Sequence, residues 1–106
     1  MNERTYQAQL IGRIRTRFPD CTVLKNDPSY MQGIPDILIL FKNQWAMLEV
    51  KMEADSSQQP NQDYYVQRFN EMSFASFINP GNEEEVLNDL QSTLGFARKA
   101  RVSQPQ

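Results

Sequence analysis

Two apolar runs, Ile37 to Phe41 and Trp45 to Val50, lie three residues apart, and charges bracket them: Asp36 opens the first, while Glu49 and Lys51 close the second. Short runs rich in β-branched and apolar residues read as strands, and the Lys42-Asn43-Gln44 connection reads as a hairpin. These strands form the centre of a sheet, and every other element must be arranged around them. Side chains alternate along a strand, so Glu49 and Lys51 share a face with Trp45 and Met47, and Ala46, Leu48 and Val50 take the other. A two-residue turn at Lys42-Asn43 sets Asp36 directly opposite Glu49, with Cβ atoms about 4.5–5.5 Å apart. A three-residue loop without a bulge sends Asp36 to the opposite face instead.

The flanking sequence supplies helices. Tyr6, Leu10, Ile11, Ile14 and Phe18 recur at helical spacing from Glu3 onward and stop before Pro19. Thr22 to Lys25 reads as a short strand, followed by the turn residues Asn26-Asp27-Pro28-Ser29. Pro60-Asn61 opens a second helical pattern, running to about Ser73, in which Tyr65, Val66, Phe69 and Met72 share a face. Phe74 to Asn79 is a further strand. Asn82 is placed to cap a third helix whose first turn carries Glu83, Glu84 and Glu85, and Val86, Leu87, Leu90 and Leu94 lead to the stop at Gly95. The order α-β-β-β-α-β-α predicts an α/β or α+β layered domain. At 106 residues there is room for one domain, assigned to 1–97, with a basic polar tail over 98–106 that carries Arg98, Lys99 and Arg101. A polar stretch runs from Ala54 to Asn61.

Composition narrows the chemistry. The chain has no histidine, which excludes Ser-His-Asp and Cys-His hydrolysis and zinc sites built on imidazole. One cysteine, Cys21, cannot form an intramolecular disulfide, and the first residues lack a signal-peptide pattern, so a reducing cytoplasm is the expected setting. No apolar stretch approaches the ~18 residues of a membrane span. The net charge is −2, yet residues 1–52 hold seven basic against five acidic side chains, whereas residues 53–97 hold Arg68 against eight acids. Such segregation leaves room for one basic face on an acidic protein.

Hydrolysing a phosphodiester at neutral pH calls for a divalent cation held by oxygen ligands and a positive group near the attacking water or the phosphate. Asp36, Glu49 and Lys51 are the residues to supply them. Both helices add polar groups on their inward stripes. Glu3 and Gln7 fall among Leu10, Ile14 and Phe18, and Gln62 lies on the stripe of Tyr65, Val66, Phe69 and Met72. Inward polar groups cost free energy unless something pairs with them, and a cation with its waters and a phosphate would do so. Arg13 and Arg17, neighbours four residues apart on the first helix, and Lys25, Tyr30 and Gln32, which precede the Asp36 strand, are candidates for contact with nucleic acid.

Taken in order, Gly33-Ile-Pro-Asp36, Glu49-Val-Lys51 and Gln62-x-x-Tyr65 resemble the PD-(D/E)XK nuclease superfamily, and within it the small VRR-NUC-type and phage Holliday-junction-resolving nucleases. The likeness spans Glu3 to Pro80. It implies a restriction-endonuclease-like αβββαβ core with a C-terminal helix and a central mixed sheet flanked by helices. It further implies Mg²⁺, with Mn²⁺ as substitute, bound by Asp36, Glu49 and the backbone carbonyl of Val50. Lys51 would orient the attacking water or stabilise charge on the phosphate. Glu3 matches the first-helix acid that binds metal or its water, with Gln7 as competitor, and Gln62 matches the second-helix glutamine near the site, with Tyr65 beside it as a DNA contact. The expected activity is a structure-selective DNA endonuclease acting on duplex, branched or Holliday-junction DNA. A homodimer without membrane attachment is the expected form, in the host cytoplasm if phage-encoded. Two alternatives stay open on the residues alone: a non-catalytic nucleic-acid-binding or interaction module on the same architecture, and a structural domain in which Asp36, Glu49 and Lys51 neutralise one another.

Overall fold

A computed structural model describes residues 1–52 and 61–95 of the chain. The polar stretch before the second helix falls almost wholly outside these residues, as does the basic tail. The elements are α1 (Glu3–Arg17), β1 (Thr22–Lys25), β2 (Ile37–Phe41), β3 (Gln44–Val50), α2 (Gln62–Met72), β4 (Phe74–Ile78) and α3 (Glu83–Leu94). The strands form one mixed sheet in the order β1-β2-β3-β4, antiparallel across the first two pairings and parallel across the last. The parallel step requires a crossover, which α2 provides. Three helices on a four-stranded mixed sheet make the expected α+β fold.

The hairpin connection is the two-residue turn. Gln44 joins β3 and pairs with Phe41, leaving Lys42 and Asn43 at the tip. Lys42 takes a left-handed conformation, φ 55°, a geometry usual where so short a loop joins two twisted strands. Pairing then runs Leu40 with Trp45, Leu38 with Met47, and Ile37 with Leu48.

Alternation along these strands makes two unequal layers. Ile37, Ile39, Phe41, Ala46, Leu48 and Val50 join Tyr6, Leu10, Ile14 and Phe18 of α1 and Val86, Leu87, Leu90 and Leu94 of α3 in one apolar cluster. The opposite face carries α2, which packs on β3 and β4. Val66 is buried there, Phe69 meets Trp45 edge-on at 5.9 Å, and Tyr65 stacks on Phe69 at 5.7 Å. Met72, the last residue of α2, departs from the expected stripe and is 58% exposed, and Ser73 then turns the chain into β4.

The helix ends are fixed by named donors and acceptors. Asn2 caps α1, its Oδ1 accepting from the Thr5 N–H at 2.8 Å, so Glu3 begins a capped turn. Asn82 occupies the N-cap position of α3, but its side chain turns back to the strand, accepting from the Asn79 N–H and donating to the Phe77 carbonyl. A cap through the Asn82 side chain is therefore not what starts α3. Gly95 ends that helix in the left-handed region, φ 72°.

Arg13 and Arg17 serve this framework. Arg13 grips Glu83 with Nε at 2.6 Å and Nη2 at 2.8 Å, and the Tyr6 hydroxyl donates to the same carboxylate at 2.7 Å. Arg17 donates to Asn88 and Gln91 and reaches Glu84 at 3.5 Å. A bidentate pair sharing a tyrosine is a stronger tie than a lone surface ion pair. The Arg13 hydrogen bonds hold the Glu83 carboxyl below its usual range, with the Tyr6 hydroxyl adding to the effect. A depressed carboxylate stabilises the fold above its unfolded pKa of 4.5 and loses that contribution as pH falls through the folded value. Glu83→Gln is therefore expected to lower stability by about 1–2 kcal/mol at pH 7, and the gap should close as pH falls below 4.5 and through the folded value. Urea midpoints of both proteins across pH 3–8 check this, and a gap that persists in acid would contradict it.

Candidate active site

The register ends with Ile37 against Leu48, and the next residue out on each strand is an acid: Asp36, just before β2, lies close enough to Glu49 for its charge to act on it. Two contacts hold Asp36. Its Oδ2 accepts from the Val50 N–H at 3.0 Å. Its carbonyl accepts from the Asn26 N–H at 2.9 Å, while Asn26 Nδ2 donates to the Pro35 carbonyl at 2.8 Å. The approach to Asp36 bends through Gly33 at φ 90°, where a residue with a Cβ would be strained. Asn26 is thus a positioning residue that the sequence reading took only for turn chemistry. The signal available was an Asn directly after a strand that pairs with β2.

Glu49 lies deeper, 4% exposed. Gln62, at the first position of α2, donates from Nε2 to Glu49 Oε2 at 2.6 Å. Oε1 of Glu49 is buried without any hydrogen-bond partner among the described residues. An orphaned carboxylate oxygen in the interior carries a desolvation cost that a proton or a cation would relieve.

Lys51 follows on the same strand line, its backbone N–H donating to Ile78 and its Nζ lying 5.4 Å from the Phe77 ring centroid, on the β4 residue paired with Glu49. Glu3, Pro28, Gln32, Gly33, Ile34, Asp36, Glu49, Val50, Lys51 and Gln62 enclose one cleft of about 370 Å³.

The other sequence candidates sort by this cleft. Gln7 is 8% exposed and does not line it, whereas Glu3, on the same helix face, does. Lys25 ends β1 opposite Ile37, and its charge acts on Asp36. Gln32 lines the cleft, and Tyr30 lies on the same loop between Pro28 and Gln32. Tyr65 sits one turn beyond Gln62, stacked on Phe69. Arg13 and Arg17 do not border the cleft. They border the groove between α1 and α3, where Arg13 Nε and Nη2 and Arg17 Nη2 donate to residues of α3.

Three carboxyls crowd an apolar-backed cleft whose one cation, among the described lining residues, is Lys51. Burial raises Asp36, against the pull of the Val50 N–H and the Lys25 charge. Burial and then the Asp36 charge raise Glu3. Glu49 is pushed up to about 8, by burial first, then by Asp36 and Glu3. Among the described residues no three His, Cys, Asp or Glu side chains are gathered closely enough to hold a metal ion by themselves. The donor set nevertheless fits a hard cation that keeps most of its water: two opposed carboxylates, one with a buried oxygen lacking a partner, and no nitrogen or sulfur ligand.

A carboxyl raised from 4.5 to about 8 holds a proton that the unfolded chain releases, so its contribution is fullest below pH 4.5 and is lost as pH rises toward 8. In EDTA the stability of the parent should fall across that window, and Glu49→Gln should flatten the decline and be the more stable protein at pH 8.5. Chemical denaturation at pH 5, 7 and 8.5 reads both.

No protein-family model and no curated protein matches the sequence. Among solved structures, the chain is similar to a VRR_NUC domain protein, with a TM-score of 0.66 over 92% of each chain at 13% sequence identity. At that identity the likeness concerns architecture: the chain has a VRR-NUC-like nuclease fold.

Proposed function

We propose that this protein is a metal-dependent DNA endonuclease. The observation that carries the reading is Glu49: a buried carboxylate on a nuclease-type fold, opposed to Asp36 by strand register, anchored through one oxygen by Gln62 and left with its other oxygen unpartnered. Asp36 and Glu49, with the Val50 main-chain carbonyl, would hold Mg²⁺ or Mn²⁺, and Glu3 would bind a water of its hydration shell. When bound, the cation would polarise the phosphate and supply a hydroxide at neutral pH.

The residues of the chain carry the rest. Asn26 fixes the backbone at Asp36, the Val50 N–H fixes the Asp36 carboxylate, and Gln62 fixes one oxygen of Glu49, so neither carboxylate must reorganise when charge develops. Lys51, held beside Phe77 at the same rim, places a positive group where the attacking oxygen and the scissile phosphate meet. The leaving 3′ oxygen departs toward the open side, where solvent protonates it. A cation also answers the electrostatic difficulty of the site, since three carboxyls would otherwise repel a phosphodiester.

Branched DNA, including four-way junctions, is the proposed preferred substrate. A homodimer presenting two symmetric clefts in the cytoplasm would cut opposed strands. No helix among the described residues is long and apolar enough to cross a membrane.

Asp36→Asn and Lys51→Ala should each lower cleavage by about 10²-fold or more. The assay incubates parent and variants with linear duplex, single-stranded and four-way-junction DNA in Mg²⁺ or Mn²⁺. Retained cleavage in both variants would remove the assignment. Independently, Mn²⁺ should raise the thermal midpoint of the parent and leave that of Glu49→Gln unmoved.

A further inference from the structure

The cleft is poorly equipped to track a duplex backbone. Its described lining offers one cation against three carboxyls, and Arg13 and Arg17 are spent on α3. Affinity that rests on phosphate contacts needs several basic groups. What the rims do offer is aromatic surface. Tyr30 is 85% exposed, the most exposed large apolar side chain among the described residues.

The backbone that carries that ring is held in an ordered turn. Asp27 Oδ1 accepts from the Ser29 N–H at 2.9 Å and the Ser29 hydroxyl at 2.6 Å, and the Tyr30 N–H donates to the Asp27 carbonyl at 3.1 Å. One residue earlier, Asn26 bolts the loop to the Asp36 and Pro35 carbonyls. Pro28 and Gln32, two residues to either side of Tyr30, line the cleft. The loop therefore presents Tyr30 at a fixed place relative to Asp36. On the side of α2, Trp45, Phe69 and Tyr65 form a continuous pile one turn from Gln62, and Tyr64, in contact with Tyr65 at 5.1 Å, is 58% exposed.

We propose that Tyr30 is a stacking platform for an unpaired base, so that the cleft takes a strand whose bases are free on at least one side of the scissile phosphate. Every base has a π-face, and stacking on an aromatic side chain contributes without regard to sequence. A paired base inside a duplex cannot reach such a ring. Single-stranded segments at junctions, flaps or gaps can. The inference rests on the nuclease reading for what the cleft does to the strand, and on the Tyr30 geometry for which strand it accepts.

Fluorescence anisotropy separates the two. Parent, Tyr30→Ala and Tyr30→Phe are titrated, in EDTA and in Ca²⁺, against a labelled single strand and a blunt duplex of equal length. Stacking predicts that Tyr30→Ala weakens single-strand binding by about 5-fold or more, that Tyr30→Phe restores it, and that duplex binding is unchanged. The idea is overturned if the parent binds no single strand, if Tyr30→Ala binds it as the parent does, if both DNA forms weaken alike, or if Phe fails to restore affinity. These outcomes do not depend on cleavage, so loss of the hydrolytic assignment through Asp36→Asn and Lys51→Ala would leave them readable.

Discussion

The register of one hairpin governs this molecule. With two residues at the turn, Ile37 faces Leu48 and Asp36 faces Glu49; with three and no bulge, the acids would part to opposite faces and the core residues with them. The same pairing that closes the apolar layer against α1 and α3 therefore also brings two carboxylates together on the face of α2. Burial of the aliphatic side secures the polar side. That is how a chain of 106 residues, with one layer of core, can hold like charges close together: the apolar contacts on one side of β2 and β3 offset the repulsion on the other.

The clasp between α1 and α3 plays a supporting part in the same arrangement. Glu3 is brought to the cleft because α1 is capped at Asn2 and fixed at Arg13 and Arg17, near its other end. The first turn of a helix is its least constrained part, and here it reaches the cleft with a hydrogen-bonded cap and a buried neighbour, Tyr6, that is itself tied to Glu83. The acidic first turn of α3 is accordingly a structural device. Its charge is placed well for the helix dipole, and its first member, Glu83, is gripped by Arg13 of α1.

How far the sequence could be read follows from the range of the interactions. Strand alternation and helix periodicity are local, so the element order, the turn at Lys42-Asn43 and the shared face of Trp45, Met47, Glu49 and Lys51 were legible. So was the inward placing of Gln7 and Gln62, since polar residues on an apolar stripe stand out against the pattern, whereas Glu3, expected inward with Gln7, is exposed and reaches only the edge of the cleft. Long-range partners were not. Arg13 and Arg17 look like free surface cations until α3 is seen to bring Glu83, Asn88 and Gln91 across from 67 or more residues away in sequence. Met72 obeys the helical period but, at the last residue of α2, is exposed. Asn26 reads as an ordinary turn residue, and its work on the Pro35 and Asp36 carbonyls depends on the pairing of β1 with β2, which connects residues separated by a long loop. The family likeness carried more of the site than periodicity did, because it tied Asp36, Glu49, Lys51 and Gln62 together across those gaps.

The electrostatics of the cleft weigh against a charged Glu49. Burial, the Asp36 charge and Glu3 disfavour it, the Asp36 backbone N–H opposes them only in part, and the hydrogen bond from Gln62 reaches only one of its oxygens. A fold that merely needed to be stable would gain by placing an aliphatic residue there, since an apolar side chain of similar volume avoids the desolvation cost altogether. A cation would offset these costs together: the three acids would become ligands or hydration partners, and the orphaned oxygen would gain its missing neighbour. The strain is concentrated at the one place where the proposed hydrolysis would use it, on strands held rigid by the core behind them, and not spread over the surface where solvent would relieve it.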